Sequence, residues 1–449
     1  MVSRPSVLNR AVAPVRARTL CDVEDVLQAD LVPLTRLADG TVKQISPFTG
    51  NQVWTVPGRS HRPLAVPHPD PQPLRPEDHG RYCAFCDRRY LETTPERERV
   101  VRVGERFQRV SGLTPERLHD TVAEFRLFAN LFEIVSYDYW VANHGYAPGP
   151  EAVARHAAYQ ASPAGRRHLL DLVHTRLLAQ ELTEHEIEAI PLPERVARAI
   201  AFFASCHTVI VARRHFVDDA TTTAQLAGSG TLIPAEHEQY LRLMVDEMRD
   251  LYARNPHVAY VSAFQNWLRP AGASFDHLHK QLVGIDELGE RMARQLARLD
   301  ADPGLFGRWG PGFAAEEGLV IARTPHAVAF AGVGHRYPSV EVWSTAPGRP
   351  WELAPAALRD LSDLVHAVHA ATGADVPVNE EWHHQPPGVA ATIPTRAVVK
   401  WRISTPAGFE GGTHVYLNTI DPWTVHARVT ARLRELHHEG AVSARIEVR

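Results

Sequence analysis

Apolar and polar positions along this chain change period several times, and each change predicts an element. Residues 1–40 carry no strong period. Between Thr41 and Val56 a run rich in Thr, Val, Ile and Trp is broken by Pro47 and Gly50, which reads as strand, turn, strand. From Pro57 to Pro76 the chain is loaded with Pro, His and Arg without apolar periodicity, which predicts an irregular loop leading into Cys83. From Glu151 to Ala204 the spacing lengthens: Leu169, Leu170, Leu172, Val173 and Leu177 make a broad apolar stripe between charges, so a helical insertion is expected at about 145–204. Thr208 to Ala212 then reads as a buried strand, Pro234 to Tyr252 as an amphipathic helix opened by Pro and acids, and Val258 to Phe264 as another strand. A similar order returns later. Gly318–Ala322 and Ala327–Gly332 are strand-like, Ala354 to Ala371 is a helix with Leu358, Leu361, Leu364, Val365 and Val368 on its apolar face, and Ala397 to Ile403 is a strand. The recurrence points to two related lobes.

Composition narrows the class. With 449 residues and 44% hydrophobic content the chain can bury sizeable cores, and 48 Lys and Arg against 52 Asp and Glu give a net charge of -4. That balance exerts no general pull toward nucleic acid or acidic membrane, so neither is expected as a partner and any anion site must be local. No apolar h-region opens the chain and no apolar run is long enough to span a bilayer, so a cytoplasmic protein is expected. The four cysteines, Cys21, Cys83, Cys86 and Cys206, are too sparse for a disulfide framework. No phosphate-loop motif or strand-linked dinucleotide fingerprint occurs, which counts against those nucleotide-binding classes.

Two segments carry chemistry. Cys83-Ala84-Phe85-Cys86 has the spacing by which two thiolates grip one zinc ion, and without a second such pair the remaining ligands must be histidines or carboxylates. His207, His215 and His277 are candidates. In His277-Leu278-His279-Lys280-Gln281-Leu282, an extended backbone puts His277, His279 and Gln281 on one face and Leu278 and Leu282 on the other. Imidazole is a competent nucleophile toward phosphorus near neutral pH, and a neighbouring amide can donate to a non-bridging phosphoryl oxygen. Among the remaining residues, His366 and His369 read as rim or core histidines, His383/His384 and His437/His438 as solvated pairs, and Cys21 and Cys206 as structural.

Four blocks in order resemble the galactose-1-phosphate uridylyltransferase family and its relatives of the histidine-triad superfamily. They are Ser46-Pro47-Phe48-Thr49-Gly50 through Arg59-Ser60-His61-Arg62-Pro63; Cys83-x-x-Cys86 with Thr93-Thr94-Pro95-Glu96; Gly272-Ala273-Ser274 with His277-Leu278-His279-Lys280-Gln281; and Ala407-Gly408-Phe409-Glu410 with Gly412-Thr413-His414-Val415-Tyr416-Leu417-Asn418. The resemblance implies an α+β histidine-triad-like fold of two pseudo-equivalent lobes, each an antiparallel sheet flanked by helices, at 41–300 and 301–449 after an N-terminal segment at 1–40. It implies His279 as nucleophile and Gln281 as the residue steadying the transferred phosphate. It implies structural zinc, Zn(2+), on Cys83, Cys86, His215 and His277, with His215 preferred over His207. Arg59, Arg62, Asn130, Gly272 and Ser274 then fall on the substrate side.

Departures accompany these matches. Asp276 and Leu278 stand where the family carries prolines, and Leu131 replaces the charged neighbour usual beside Asn130. Trp382-His383-His384-Gln385-Pro386 resembles part of a second metal site, but its later histidines fall on Lys400-Trp401-Arg402, so no second metal is expected. The implied activity is ping-pong transfer of a nucleoside monophosphate from a nucleotide sugar to a sugar phosphate through a nucleotidyl-histidine. The alternatives are a phosphorylase or hydrolase of nucleotide sugars or dinucleoside polyphosphates, with phosphate or water as the second nucleophile, and a zinc-stabilised binding protein without catalysis. A homodimer is left open.

Overall fold

The computed structural model describes residues 31–58, 65 and 70–449. The first extended run does break at Pro47 and Gly50: β1 (Leu34–Arg36), β2 (Val42–Ile45) and β3 (Gln52–Thr55) form an antiparallel meander. The first lobe follows with β4 (Glu96–Val103), β5 (Arg106–Ser111), β6 (Ala123–Ala129), β7 (His207–Ala212), β8 (Tyr260–Trp267) and β9 (His279–Ile285). The second carries β10 (Val320–Thr324), β11 (Ala327–Ala331), β12 (Ser339–Ser344), β13 (Val378–His383) and β14 (Arg396–Trp401), then β15 (Val415–Asn418) and β16 (Glu447–Val448).

The expected pair of lobes is present, with their sheets fused. The spatial order is β5-β4-β6-β7-β9-β8 and then β13-β14-β12-β11-β10-β16, one antiparallel sheet joined where Asn379 of β13 faces Asn266 of β8. The strand sequence β4-β6-β7-β9-β8 has the same connectivity as β10-β11-β12-β14-β13. In each lobe a long helix runs between the third and fourth of these strands in chain order: Pro234–Arg254 after β7 and Pro355–Thr372 after β12.

These helices form where the apolar spacing requires it. Pro opens the first turn of each, where no intrahelical N–H bond is lost, and Glu236 accepts from Ile233 N–H at 3.2 Å. The stripes Tyr240, Leu241, Met244, Val245, Met248, Leu251 and Leu358, Leu361, Leu364, Val365, Val368 are buried, so both helices lie on the same face of the sheet. They dock on each other through polar pins: His237 Nδ1 is 2.7 Å from Ser362 Oγ, and Arg242 donates to Pro355 O at 3.0 Å.

Between β6 and β7 the chain forms the helices Pro150–Ala161, Pro163–Ala179 and three shorter ones to Ala204, and this segment buries Leu169, Leu172, Val173 and Leu177. β3 pairs in parallel with β15, more than three hundred positions later, which closes a small separate sheet. That sheet rests on the second lobe. Phe48 stacks on Phe306 at 5.3 Å, and Gly334, at φ +72, approaches Ser46 so closely that a Cβ would sit 2.2 Å from its backbone nitrogen.

Two histidines expected on the surface are not there. His384 is fully buried, stacked on Tyr260 at 4.9 Å with Nε2 3.0 Å from Tyr252 Oη, and His383 is half-buried beside Glu381. The end of β13 runs beneath Trp351 and Tyr252, so the pair lies inside the lobe junction. His366 and His369 are core residues, bonded to Leu232 O at 2.6 Å and to Glu380 at 2.7 Å. Cys206 is buried, accepting from Asn255 at 3.4 Å. No described helix is long and apolar enough to cross a membrane.

Candidate active site and metal centre

Strand pairing brings the two chemical segments together. β9 pairs with β7 so that His279 faces Val211 and Gln281 faces Val209. Alternation then sends Leu278, Lys280 and Leu282 to the helix-covered side, where all three are fully buried, and His279 and Gln281 to the opposite side. Lys280 is held there by Glu380 and Gln265 beneath the helix pair.

At the end of β7 the chain turns through His215, and at the start of β9 it passes His277, whose Nε2 donates to Ala212 O at 2.7 Å. That bond fixes the ring so that Nδ1 faces Cys83, 3.4 Å from its sulfur. His215 Nδ1 is also 3.4 Å from Cys83 Sγ, and Cys86 Sγ lies 3.6 and 3.8 Å from the two ring nitrogens. The sulfurs are 3.8 Å apart, brought together by a tight turn in which Cys86 N–H donates to Cys83 O at 3.0 Å. The four ligand atoms therefore form a closed cluster that could hold one metal ion. Hydrogen bonding between the thiols drives Cys83 up and Cys86 down: both cannot ionise at this distance without a cation. His207, the other candidate ligand, points elsewhere.

Phe85, between the cysteines, joins this cluster to His279. Its ring is 5.3 Å from His279, 4.5 Å from Phe275 and 6.0 Å from Phe128. In this apolar setting burial lowers the pKa of His279 to about 4, so the ring is neutral at pH 7. Its Nδ1 lies 2.7 Å from His277 O and must carry the proton to donate, which leaves the Nε2 lone pair without a partner among the described residues.

Gln281 is oriented by a residue with no expected role there. Ile134 N–H donates to His207 Nδ1 at 3.0 Å, so the His207 proton sits on Nε2 and is donated to Gln281 Oε1 at 3.0 Å. Asn130 Nδ2 approaches the same oxygen at 3.5 Å, with its own Oδ1 taken by Phe132 N–H at 3.0 Å. The carbonyl of Gln281 is thus engaged, and its NH2 is the group left to donate. Burial lowers His207 to about 4, which keeps this tautomer neutral.

The remaining expected residues divide. Asn130, just past β6, joins the cluster through Gln281. Gly272 and Ser274 are exposed in the loop that enters β9, and Gly272 takes φ +88 to turn it. Arg59 and Arg62 lie outside the described residues. Asn130 and His207 become neighbours of Gln281 only through the β6-β7-β9 register, which local sequence does not reveal.

Comparison with known proteins agrees with this architecture. A family model described as a domain of unknown function, DUF4921, matches residues 37–449. No curated protein matches. An ADP-glucose phosphorylase from Arabidopsis thaliana, solved with bound ADP-glucose, superposes with a TM-score of 0.54 at 18% identity, over 87% of this chain and 98% of its own. A GalT-like protein from the same plant gives 0.52 at 18% identity, over 86% of this chain and 98% of its own. At that identity the likeness concerns the fold. The chain belongs to the DUF4921 family, and its fold is shared with these two solved structures.

Proposed function

We propose that the chain is a nucleotidyl-transferring enzyme in which His279 forms a covalent nucleotidyl intermediate. The observation that carries this reading is the buried His279, whose Nδ1 is committed to His277 O at 2.7 Å, which leaves Nε2 to attack from the strand face that His279 shares with Gln281. Nε2 attacks the α-phosphorus of a nucleotide-activated sugar. The N–P bond forms as the bond to the departing sugar phosphate breaks, and the electron pair leaves on the phosphate oxygen. A phosphate leaving group needs little protonation, so no general acid is required at that position. The NH2 of Gln281 donates to a non-bridging oxygen as charge redistributes. An acceptor phosphate then attacks the nucleotidyl-histidine and regenerates the free imidazole. Arg59 and Arg62 contribute guanidinium forks to the nucleotide phosphates, and Gly272 and Ser274 lie along the entry to β9. The likeness to an ADP-glucose phosphorylase supports a nucleotide sugar as donor.

Zinc is the metal we assign to Cys83, Cys86, His215 and His277. Tetrahedral zinc with about 2.3 Å bonds to sulfur and about 2.05 Å to nitrogen requires edges of about 3.8 Å between sulfurs and about 3.5 Å between sulfur and nitrogen. The cluster has 3.8 Å and 3.4–3.8 Å. Four protein ligands leave no open position, so the ion's contribution is to brace the start of β9.

The test is mass spectrometry of the intact protein after incubation with ADP-glucose, UDP-glucose and dinucleoside polyphosphates. A nucleoside monophosphate adduct, acid-labile and base-stable, is expected in the parent and absent in His279→Gly, with zinc content unchanged. An adduct that persists in His279→Gly, or none with any donor, overturns the reading. Turnover with sugar phosphate, inorganic phosphate or water as acceptor then separates transferase, phosphorylase and hydrolase.

A further inference from the structure

The face of the sheet that carries Gln281 continues past the lobe junction. Gln281, Phe264, Glu381 and Val398 stand directly opposite one another on β9, β8, β13 and β14. Strands lie about 4.8 Å apart, so Glu381 is roughly 10 Å from Gln281, and the second lobe opens there into its own space. This is a cleft of about 400 Å³ between β13, β14, the helix Gly289–Ala301, the segment before β12 and the small sheet.

Its charge is one-sided. Arg291, Arg294, Arg336, Lys400 and Arg402 line it against only Glu290 and Glu381. Glu381 is shared by Lys400 at 2.5 Å and Arg291 at 3.1 Å, and Glu290 holds Arg294 at 2.6 Å. Arg336 and Arg402 have no carboxylate within ion-pair distance among the described residues. Both are nevertheless held in place. Arg402 Nη1 donates to Asn379 Oδ1 at 2.5 Å and its guanidinium lies 4.7 Å over Tyr337, while Arg336 lies 5.1 Å over Tyr416. Arg402 Nε is buried without a partner. The whole chain is net negative, so this excess is local.

Two oriented, unneutralised guanidinium groups are the arrangement that recognises a phosphate dianion. Two carboxylates beside them, with Thr49 and Asn51 also in the lining, supply acceptors for hydroxyl groups. The volume is at the small end of the range of about 300–1,000 Å³ typical of ligand sites. We infer that this second-lobe cleft binds a phosphate monoester of a small polyol, a sugar phosphate, at a site separate from His279. The inference does not rest on nucleotidyl transfer at His279.

The experiment is calorimetric titration of the full-length, zinc-loaded chain with glucose 6-phosphate, inorganic phosphate and glucose, in the parent, Arg336→Met, Arg402→Met and His279→Gly. Arg336 is exposed, so its replacement leaves the core intact. Saturable binding of glucose 6-phosphate that weakens with added salt is expected, with none for glucose and a weaker affinity for inorganic phosphate. Each arginine variant should raise Kd by about 10-fold or more, the loss of one charge-assisted contact, and His279→Gly should leave Kd unchanged. Three results overturn the inference: no saturable binding, equal affinity for inorganic phosphate, or binding that survives both arginine variants but is lost in His279→Gly.

Discussion

His207 Nε2 lies 3.0 Å from Gln281 Oε1, a contact between residues 74 positions apart that engages the carbonyl end of the glutamine and leaves its NH2 to donate elsewhere. With Nδ1 of His207 occupied by Ile134 N–H, the ring can only donate to Gln281. Replacing His207 with Phe removes that donor and lets the amide turn over. The rate of nucleotidyl-histidine formation should fall by about 10²-fold, the effect of misplacing one transition-state donor, with zinc content unchanged and donor affinity nearly so. An unchanged single-turnover rate would remove His207 from the site.

The metal centre predicts a separation between stability and chemistry. Cys83→Ser takes one sulfur from a cluster that ties the turn at Cys86 to the ends of β7 and β9. Zinc measured by atomic emission should fall from near one per chain to near zero, and the melting temperature should drop by several degrees. Chelation of the parent should reproduce the drop. A variant that melts like the parent would show that the cluster braces nothing.

Beneath the same strand, Lys280 and Glu380 form a pair with both side chains fully buried. His369 and Trp382 Nε1 also bind this carboxylate. Glu380→Gln leaves a lysine charge in the core with weakened compensation, and urea unfolding should show a loss of about 3–5 kcal/mol. The double change Lys280→Met with Glu380→Leu should recover much of it, because apolar side chains of similar size avoid the desolvation cost. Additive losses in the double variant would contradict this account.

Acid should destabilise the fold through neutral buried histidines. Burial holds His207 and His366 at about 4 and His384 at about 3. Unfolded histidine titrates near about 6.5, so between there and pH 4 the unfolded chain binds protons that the folded chain refuses. Stability is therefore present above pH 6.5 and declines as pH falls through that window, by about 3 kcal/mol per group at pH 4. His384→Phe should flatten the decline in urea midpoint between pH 6.5 and 4. The same slope in parent and variant would place His384 in solvent.

Much of this molecule was legible in local spacing. The broken run at Thr41 to Val56, the helices near Pro234 and Ala354, and the alternation of His277, His279 and Gln281 depend on periods of about 3.6 and 2 residues, which a chain carries in its own order. The Cys83-x-x-Cys86 turn was equally visible, because its geometry closes within four residues. What needed the folded chain were distances across register. Nothing local distinguishes His215 from His207 as a fourth ligand. The pairing of β7 with β9 separates them: it puts one at the strand end beside His277 and the other on the face of Gln281. His384, polar in sequence and followed by Gln385 and Pro386, looked solvated until the junction of β8 and β13 enclosed it. The fusion of both lobes into one sheet, and with it the cationic cleft around Arg336 and Arg402, arises from strand edges that meet more than a hundred residues apart. Edge pairing is set by which backbone donors and acceptors remain free after each lobe has folded, and that is a property of the assembled sheet.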